Sequence, residues 1–482
     1  MSLSGELTSY IRAAFSGIVI QSQEPQEAIS EISQLCRENA WNFQCWDVLN
    51  GVNGAAAGDP LAAVRLLSQL EGPAILILRG FHRYLSGPEV IAALEQELLL
   101  AKTRQCSLLI LAPSVQLPPE LERLFVVLQH ELPSRAALQA IAAQIGNQEG
   151  EFPEGALREA ILDASSGMTR YEAEGAYSLS IIQQGRIEPQ TLWNLKAQSL
   201  AKQGYLSLHR GGETFEQLGG LTALKAFCKR SLLRSSRENA QQRAKGVLLL
   251  GVPGVGKSAF AKALGAETGR PTLILDIGGL LGSLVGQTEQ NIRQALRLAD
   301  AMAPCLLFVD EIEKALSGAS SQGDSGVSTR LLGMFLTWLN DHESDVYVVA
   351  TCNDISKLPP EFSRAERWDG TFFLDLPEDT ERESIWKIFL HRYQLDPTQK
   401  KPADAQWTGA EIKACCRLAA LLDLPLQQAA QNVVPLAITA SESIERLRTW
   451  ASGRCLSARD AGIYQKAIPP TRRKVQRDPL NN

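Results

Sequence analysis

The run GVLLLGVPGVGKSAFAKALG (246–265) constrains this chain more than any other feature. An apolar stretch of strand length, a turn carrying Gly251, Gly254 and Gly256, and a helical pattern follow one another without a break. Glycines clustered there allow backbone conformations closed to other residues, so the chain can turn sharply from strand into helix. Strands that feed helices belong to α/β folds with mainly parallel sheets. Further short apolar runs repeat this rhythm: GIVIQ (17–21), PAILIL (73–78), SLLILA (107–112), PTLILD (271–276), CLLFVD (305–310) and VYVVAT (346–351). From about Thr380 to Arg459 the strand patterns give way to helical ones, which predicts a helical appendage.

A length of 482 residues calls for two to four folded units, and 45% hydrophobic with 21% charged residues is globular composition. The first half repeats the second in order. GIVIQSQEPQEA (17–28) aligns with GVLLLGVPGVGKS (246–258), PAILILRGF (73–81) with PCLLFVDEI (304–312), LPPEL (117–121) with LPPEF (358–362), and TRYEAEGAYSL (169–179) with TGAEIKACCRL (408–418). A duplicated fold is therefore expected. Its first copy is chemically inactive, with Glu27 where Lys257 stands and Arg79 and Gly80 where Asp310 and Glu311 stand. The stretch GYLSLHRGG (204–212) reads as a linker between the copies.

The chemistry concentrates in the second copy. Backbone N–H groups of a glycine-rich turn at a helix N-terminus converge on phosphate oxygens, where the helix dipole favours negative charge. Gly251, Val252, Pro253, Gly254, Val255, Gly256, Lys257, Ser258 and Ala259 form that candidate cradle. Lys257 is placed to meet the β and γ phosphates of a nucleotide, and Ser258 to ligate Mg²⁺. CLLFVDEIEKA (305–315) ends an apolar strand in two carboxylates, at the edge where ligands sit in open α/β sheets. Asp310 is the second candidate metal ligand, and Glu311 the group that orients and deprotonates an attacking water. Asn353, at the end of the strand in VYVVATCND (346–354), is a neutral donor for the γ phosphate and that water.

These motifs and their spacing resemble AAA ATPases, over about half the chain from FEQLGGL (215–221) onward. The resemblance implies a P-loop parallel sheet with a C-terminal helical lid, ATP and Mg²⁺ as ligands, and a homo-oligomer, in this family commonly a hexamer. It also places Arg364 and Arg367 of EFSRAERWD (361–369) as arginine fingers that reach a neighbouring subunit's site. Gly409 and Ala410 of TGAEIK (408–413) fall at the family's second sensor helix, beside the nucleotide. At the central pore loop, where substrate-threading relatives carry an aromatic residue, this chain has Leu284, Val285 and Gly286. More narrowly, GSLVGQTEQNIRQAL (282–296), GDSGVSTRLLGMFLTWL (323–339) and LRTWASGR (447–454) resemble the AAA proteins first named as hypothetical chloroplast reading frames. The expected layout is a degenerate AAA-like α/β domain over 1–204, an ATPase core over 205–380, a helical lid over 381–465 and a flexible basic tail over 466–482.

Other classes are disfavoured. A net charge of −5 offers no global attraction to nucleic acid, the one basic cluster being Arg472 to Arg477. No stretch approaches a membrane span, and the N-terminus lacks a secretion signal, which points to the cytoplasm. Nine cysteines without a CxxC pair suit reduced thiols, and the five histidines share no ligand spacing. A protein substrate or regulatory partner is expected.

Overall fold

The computed structural model of the protein describes residues 3–233, 243–281, 287–314, 325–358, 362 and 367–466. Arg364, the triplet Leu284 to Gly286 and the basic cluster Arg472 to Arg477 lie outside the described residues. The chain divides into two compact units, residues 1–195 and 196–482.

The first unit holds five strands: β1 (Gly17–Gln21), β2 (Asn42–Trp46), β3 (Ala74–Arg79), β4 (Cys106–Ala112) and β5 (Phe125–Gln129). They pair in the order β2-β3-β4-β1-β5, all parallel. Parallel sheets are covered on both faces, which is why β3 and β4 are continuous apolar runs. Alternate residues separate onto two cores: Val19, Leu76, Leu78, Leu108 and Ile110 on one side, Ile18, Ile20, Ile75, Ile77, Leu109 and Leu111 on the other.

The second unit holds β6 (Leu206–His209), β7 (Gly246–Gly251), β8 (Thr272–Leu275), β9 (Cys305–Val309), β10 (Val346–Cys352), β11 (Gly370–Leu374) and β12 (Leu456–Ser457). Their order is β12-β11-β7-β10-β9-β8-β6. Counted from each unit's own first parallel strand, the five central strands run 5-1-4-3-2 in both sheets. The duplicated fold read from the four sequence pairs thus has the same topology in each copy. The correspondence extends to capping: Thr169 opens helix Arg170–Gln184 and Thr408 opens helix Gly409–Leu422, each in a capping box with glutamate three residues on.

The stretch expected to be a linker is instead partly a strand. Residues Leu206–His209 form β6, the only antiparallel neighbour among the described strands of its sheet, paired with β8. Its alternating LSLH pattern is that of an edge strand with one neighbour and one wet face, too short to read as an apolar run. The same cause hides β2, whose residues are mostly part-exposed.

Helices Asp379–Arg392, Gly409–Leu422, Leu426–Ala429, Leu436–Thr439 and Ser441–Ala451 follow β11. Trp386, Trp407, Ile412, Cys415, Cys416 and Leu426 build their own core. The Trp386 indole donates to Asp404 Oδ2 at 2.8 Å. Two arginines tie this helical subdomain to the exit of β11: Arg448 Nε to Asp375 Oδ1 at 3.0 Å, and Arg459 Nη2 to the Leu376 carbonyl at 3.0 Å. No helix among the described residues is long and apolar enough to cross a membrane.

Trp386→Ala is expected to destabilise the helical subdomain by about 3–5 kcal/mol through the cavity it leaves, with Trp386→Phe milder. Urea unfolding followed by circular dichroism reads the difference, and equal stability of the two variants would contradict the core described.

Candidate active site

The glycine-rich turn sits between the end of β7 and helix Lys257–Thr268. Gly254 and Gly256 both have left-handed backbones, with φ of 82° and 99°. A Cβ at Gly254 would come within 3.0 Å of the Thr408 hydroxyl and of Ala410 Cβ, and one at Gly256 within 3.2 Å of Leu218. The turn is therefore closed to side chains on both counts, leaving backbone to face a ligand.

Lys257 is buried, and its ammonium donates to the carbonyls of Gly251 at 2.7 Å and Val252 at 2.9 Å. Burial pulls its pKa down to about 8, against the smaller opposing pull of nearby acidic groups. A polyanion brought to this ammonium would favour its charged form. Ser258 Oγ donates to Asp310 at 3.1 Å, so the two candidate metal ligands already face each other although 52 residues separate them. A hydroxyl paired with a carboxylate beside a buried ammonium and a cradle free of side chains is a donor set that suits a magnesium-bound triphosphate.

Parallel pairing of β9 with β10 brings the remaining groups together. Asn353 Nδ2 donates to Glu311 Oε1 at 2.9 Å, and the Asn353 N–H donates to Glu313 Oε1 at 2.9 Å. The second Glu311 oxygen is paired with the Lys314 ammonium. That contact, with Asn353 and Lys257 adding to it, holds the Glu311 carboxyl below the usual range despite partial burial. Glu311 also has a left-handed backbone, φ 49°, a conformation costing a side-chain-bearing residue about 1–2 kcal/mol.

Helix Gly409–Leu422 meets the glycine-rich turn directly: the Ala410 N–H donates to the Gly254 carbonyl at 3.1 Å, and Gly409 lies beside the same carbonyl. Arg367 is half-buried, and its Nη1 has no hydrogen-bond partner among the described residues. Sequence reasoning missed Lys314, and it named the segments that hold Thr408 and Leu218 without singling out those two residues. It also missed Thr351, which touches both Asp310 and Glu311. Its only sequence signal is a hydroxyl near the end of an otherwise apolar strand.

The corresponding place in the first unit is built differently. Only Ser22, Gln23 and Glu24 separate β1 from helix Pro25–Asn39, so the loop is shorter than Val252 to Gly256 and contains no glycine. Pro25, which has no N–H, occupies the helix start where Lys257 stands, so aligning the helix starts puts Glu27 two residues beyond the position of Lys257. The Glu24 carboxylate accepts the Arg170 N–H at the start of helix Arg170–Gln184, whereas in the second unit the Gly254 carbonyl accepts the N–H one residue further into the helix, that of Ala410. Burial raises the Glu24 pKa. Arg170 in turn pairs with Glu27 at 3.3 Å and Glu174 at 2.7 Å. A carboxylate stands where the second unit presents bare backbone, which disfavours a phosphate there.

Comparison with known proteins identifies the family to which these units belong. Residues 247–376 match the family model for the ATPase family associated with various cellular activities (AAA). Residues 3–130 match the N-terminal domain, and residues 135–203 the second domain, of SpoVK-like AAA ATPases. An uncharacterized AAA domain-containing protein ycf46 of Pyropia yezoensis is 30% identical over 492 residues, covering 95% of this chain and 99% of that one. Its counterpart in Guillardia theta is 29% identical, over 94% and 95% of the two chains. A cell division cycle protein 48 homolog of Archaeoglobus fulgidus is 30% identical over 238 residues, 46% of this chain and 32% of its own. With a cradle, a carboxylate pair and a sensor helix meeting in one unit, and with similarity running nearly end to end, this chain belongs to the AAA ATPase family, among the ycf46-type AAA domain-containing proteins.

Proposed function

We propose that the protein hydrolyses ATP as a homo-oligomer and couples the cycle to remodelling or regulating a protein partner. One observation carries the reading: Lys257, Ser258, Asp310, Glu311 and Asn353 come together beside the glycine-rich turn in one unit, while the other unit keeps the strand order and has Glu24 in the corresponding loop. A unit of that kind can bind or scaffold.

The cradle N–H groups and Lys257 hold the triphosphate, and Ser258 and Asp310 hold Mg²⁺. The ion, when bound, neutralises charge on the phosphates. Glu311 orients the attacking water and accepts its proton, and Asn353 fixes the Glu311 carboxylate and the water. Gly409 and Ala410 bring the helical subdomain to the nucleotide, so a change in bound phosphate reaches that subdomain through the Ala410–Gly254 contact. Arg364 and Arg367 complete a neighbouring protomer's site, which makes the oligomer, a hexamer as in relatives of this family, the working form. The likeness to the Archaeoglobus cell division cycle protein 48 homolog, over 46% of this chain, supports the ATPase part of this reading.

The Lys314–Glu311 pair favours a second reading, a slow ATP-dependent switch whose hydrolysis is a timer. Low turnover raised by one specific protein supports the switch; fast turnover on generic unfolded polypeptide excludes it.

Three outcomes are expected. Glu311→Gln retains ATP but loses turnover by about 100-fold or more, and full turnover in that variant would sink the role given to Glu311. Lys257→Ala removes nucleotide binding from the whole chain, and residual stoichiometric binding by calorimetry would mean the first unit binds too. A double variant lacking Arg364 and Arg367 is inactive alone, as is Glu311→Gln, yet mixing the two restores measurable hydrolysis at mixed interfaces. No recovery on mixing, with oligomers shown to exchange subunits, removes the shared site.

A further inference from the structure

Register exposes a second function of β10. In the first unit Arg79 pairs with Leu111, and the ladder continues normally with the Gly80 N–H donating to the Leu111 carbonyl at 2.9 Å. In the second unit Val309 pairs with Ala350, which sets Asp310 beside Thr351 and makes Thr351 the counterpart of Leu111. There the ladder slips. The Thr351 carbonyl is taken by the N–H of Ile312 at 3.0 Å, and Glu311 is pushed out as a bulge with φ 49°.

The displaced Glu311 N–H would lose its partner, but it donates instead to the Thr351 side-chain oxygen at 2.8 Å. The same hydroxyl spends its single hydrogen on Asp310 Oδ1 at 2.6 Å. Thr351 is fully buried, so no water can replace either bond at that oxygen without opening the sheet edge. A β-branched side chain in a strand has few rotamers, which fixes the direction of the hydroxyl. One atom thereby sets both the bulge that aims Glu311 and the orientation of the Asp310 carboxylate. The inactive copy is an internal control: it has leucine at this position, glycine at the left-handed position, and a regular ladder.

We propose that Thr351 is a positioning residue for hydrolysis, acting through the Glu311 backbone and the Asp310 carboxylate without touching the nucleotide. This rests on the ATPase reading above. Removal of the hydroxyl lets the Glu311 N–H return to the ladder carbonyl, which draws the Glu311 carboxylate away from its station; misplacement of a catalytic group by about 1 Å costs on the order of 100-fold in rate.

The test compares Thr351→Val, which keeps shape and loses the hydroxyl, with Thr351→Ser, which keeps the hydroxyl, in the full chain. Two quantities are read: steady-state ATP hydrolysis, and hydrogen exchange of the Glu311 amide without nucleotide. The valine variant is expected to lose kcat by roughly 10- to 100-fold with KM for ATP within about threefold of wild type, and to exchange the Glu311 amide at least about tenfold faster. The serine variant recovers most of both. Wild-type kcat and exchange in the valine variant, a serine variant as impaired as valine, or a valine loss lying entirely in KM would each overturn the proposal. Absence of turnover in wild type would overturn the ATPase reading instead, and the exchange comparison alone would then decide whether Thr351 holds the bulge.

Discussion

The candidate site of this chain depends on parallel pairing of three strands. Because β7, β10 and β9 are neighbours running the same way, the glycine-rich turn after β7, Asn353 after β10 and the carboxylates after β9 emerge at one sheet edge. No local preference could bring Ser258 to 3.1 Å from Asp310 across 52 residues; the hydrogen-bond register does it. The apolar content of these strands is thus functional in an indirect way, since a sheet buried on both faces holds its register firmly.

Within that frame, polar contacts over short distances set the finer geometry. Thr351, Asn353 and Lys314 surround Asp310 and Glu311, so both carboxylates are held before any ligand arrives. Preorganisation of this kind lowers the reorganisation needed during reaction. Holding Glu311 in a left-handed bulge carries a conformational cost, and the hydroxyl of Thr351 offsets part of it by satisfying the displaced N–H.

The two units illustrate how one topology diverges without changing its core. Both keep the 5-1-4-3-2 strand order and the threonine-capped helix that returns to the edge of the sheet. What differs is a few residues at that edge. The first unit has a shortened loop, Pro25 at the helix start and the carboxylate of Glu24 there, while the second has Gly254, Gly256 and the cationic Lys257.

Strongly apolar central strands, the glycine-rich turn, the acidic pair and the internal repeat were legible in the sequence because each rests on local chemistry or on period. Other strands were not: β6 read as a linker, and β2, β5, β12 and the short interior strand β11 went unseen, the edge strands because a strand with one neighbour needs no continuous apolar run. The match of Glu27 to Lys257 also failed in detail, because a shortened loop shifts the helix start and only coordinates reveal where the helix begins. Sequence alone determined that a glycine-rich turn followed by Lys257, and the carboxylate pair Asp310 and Glu311, are present in one half and lack counterparts at the aligned positions of the other. Tertiary structure decided that Thr351 and Lys314 contact those carboxylates, that Glu24 accepts the Arg170 N–H, and that the Ala410 N–H donates to the Gly254 carbonyl. Each of those contacts joins positions brought together by strand register or by a helix docking on a turn, which are properties of the folded sheet and not of any segment within it.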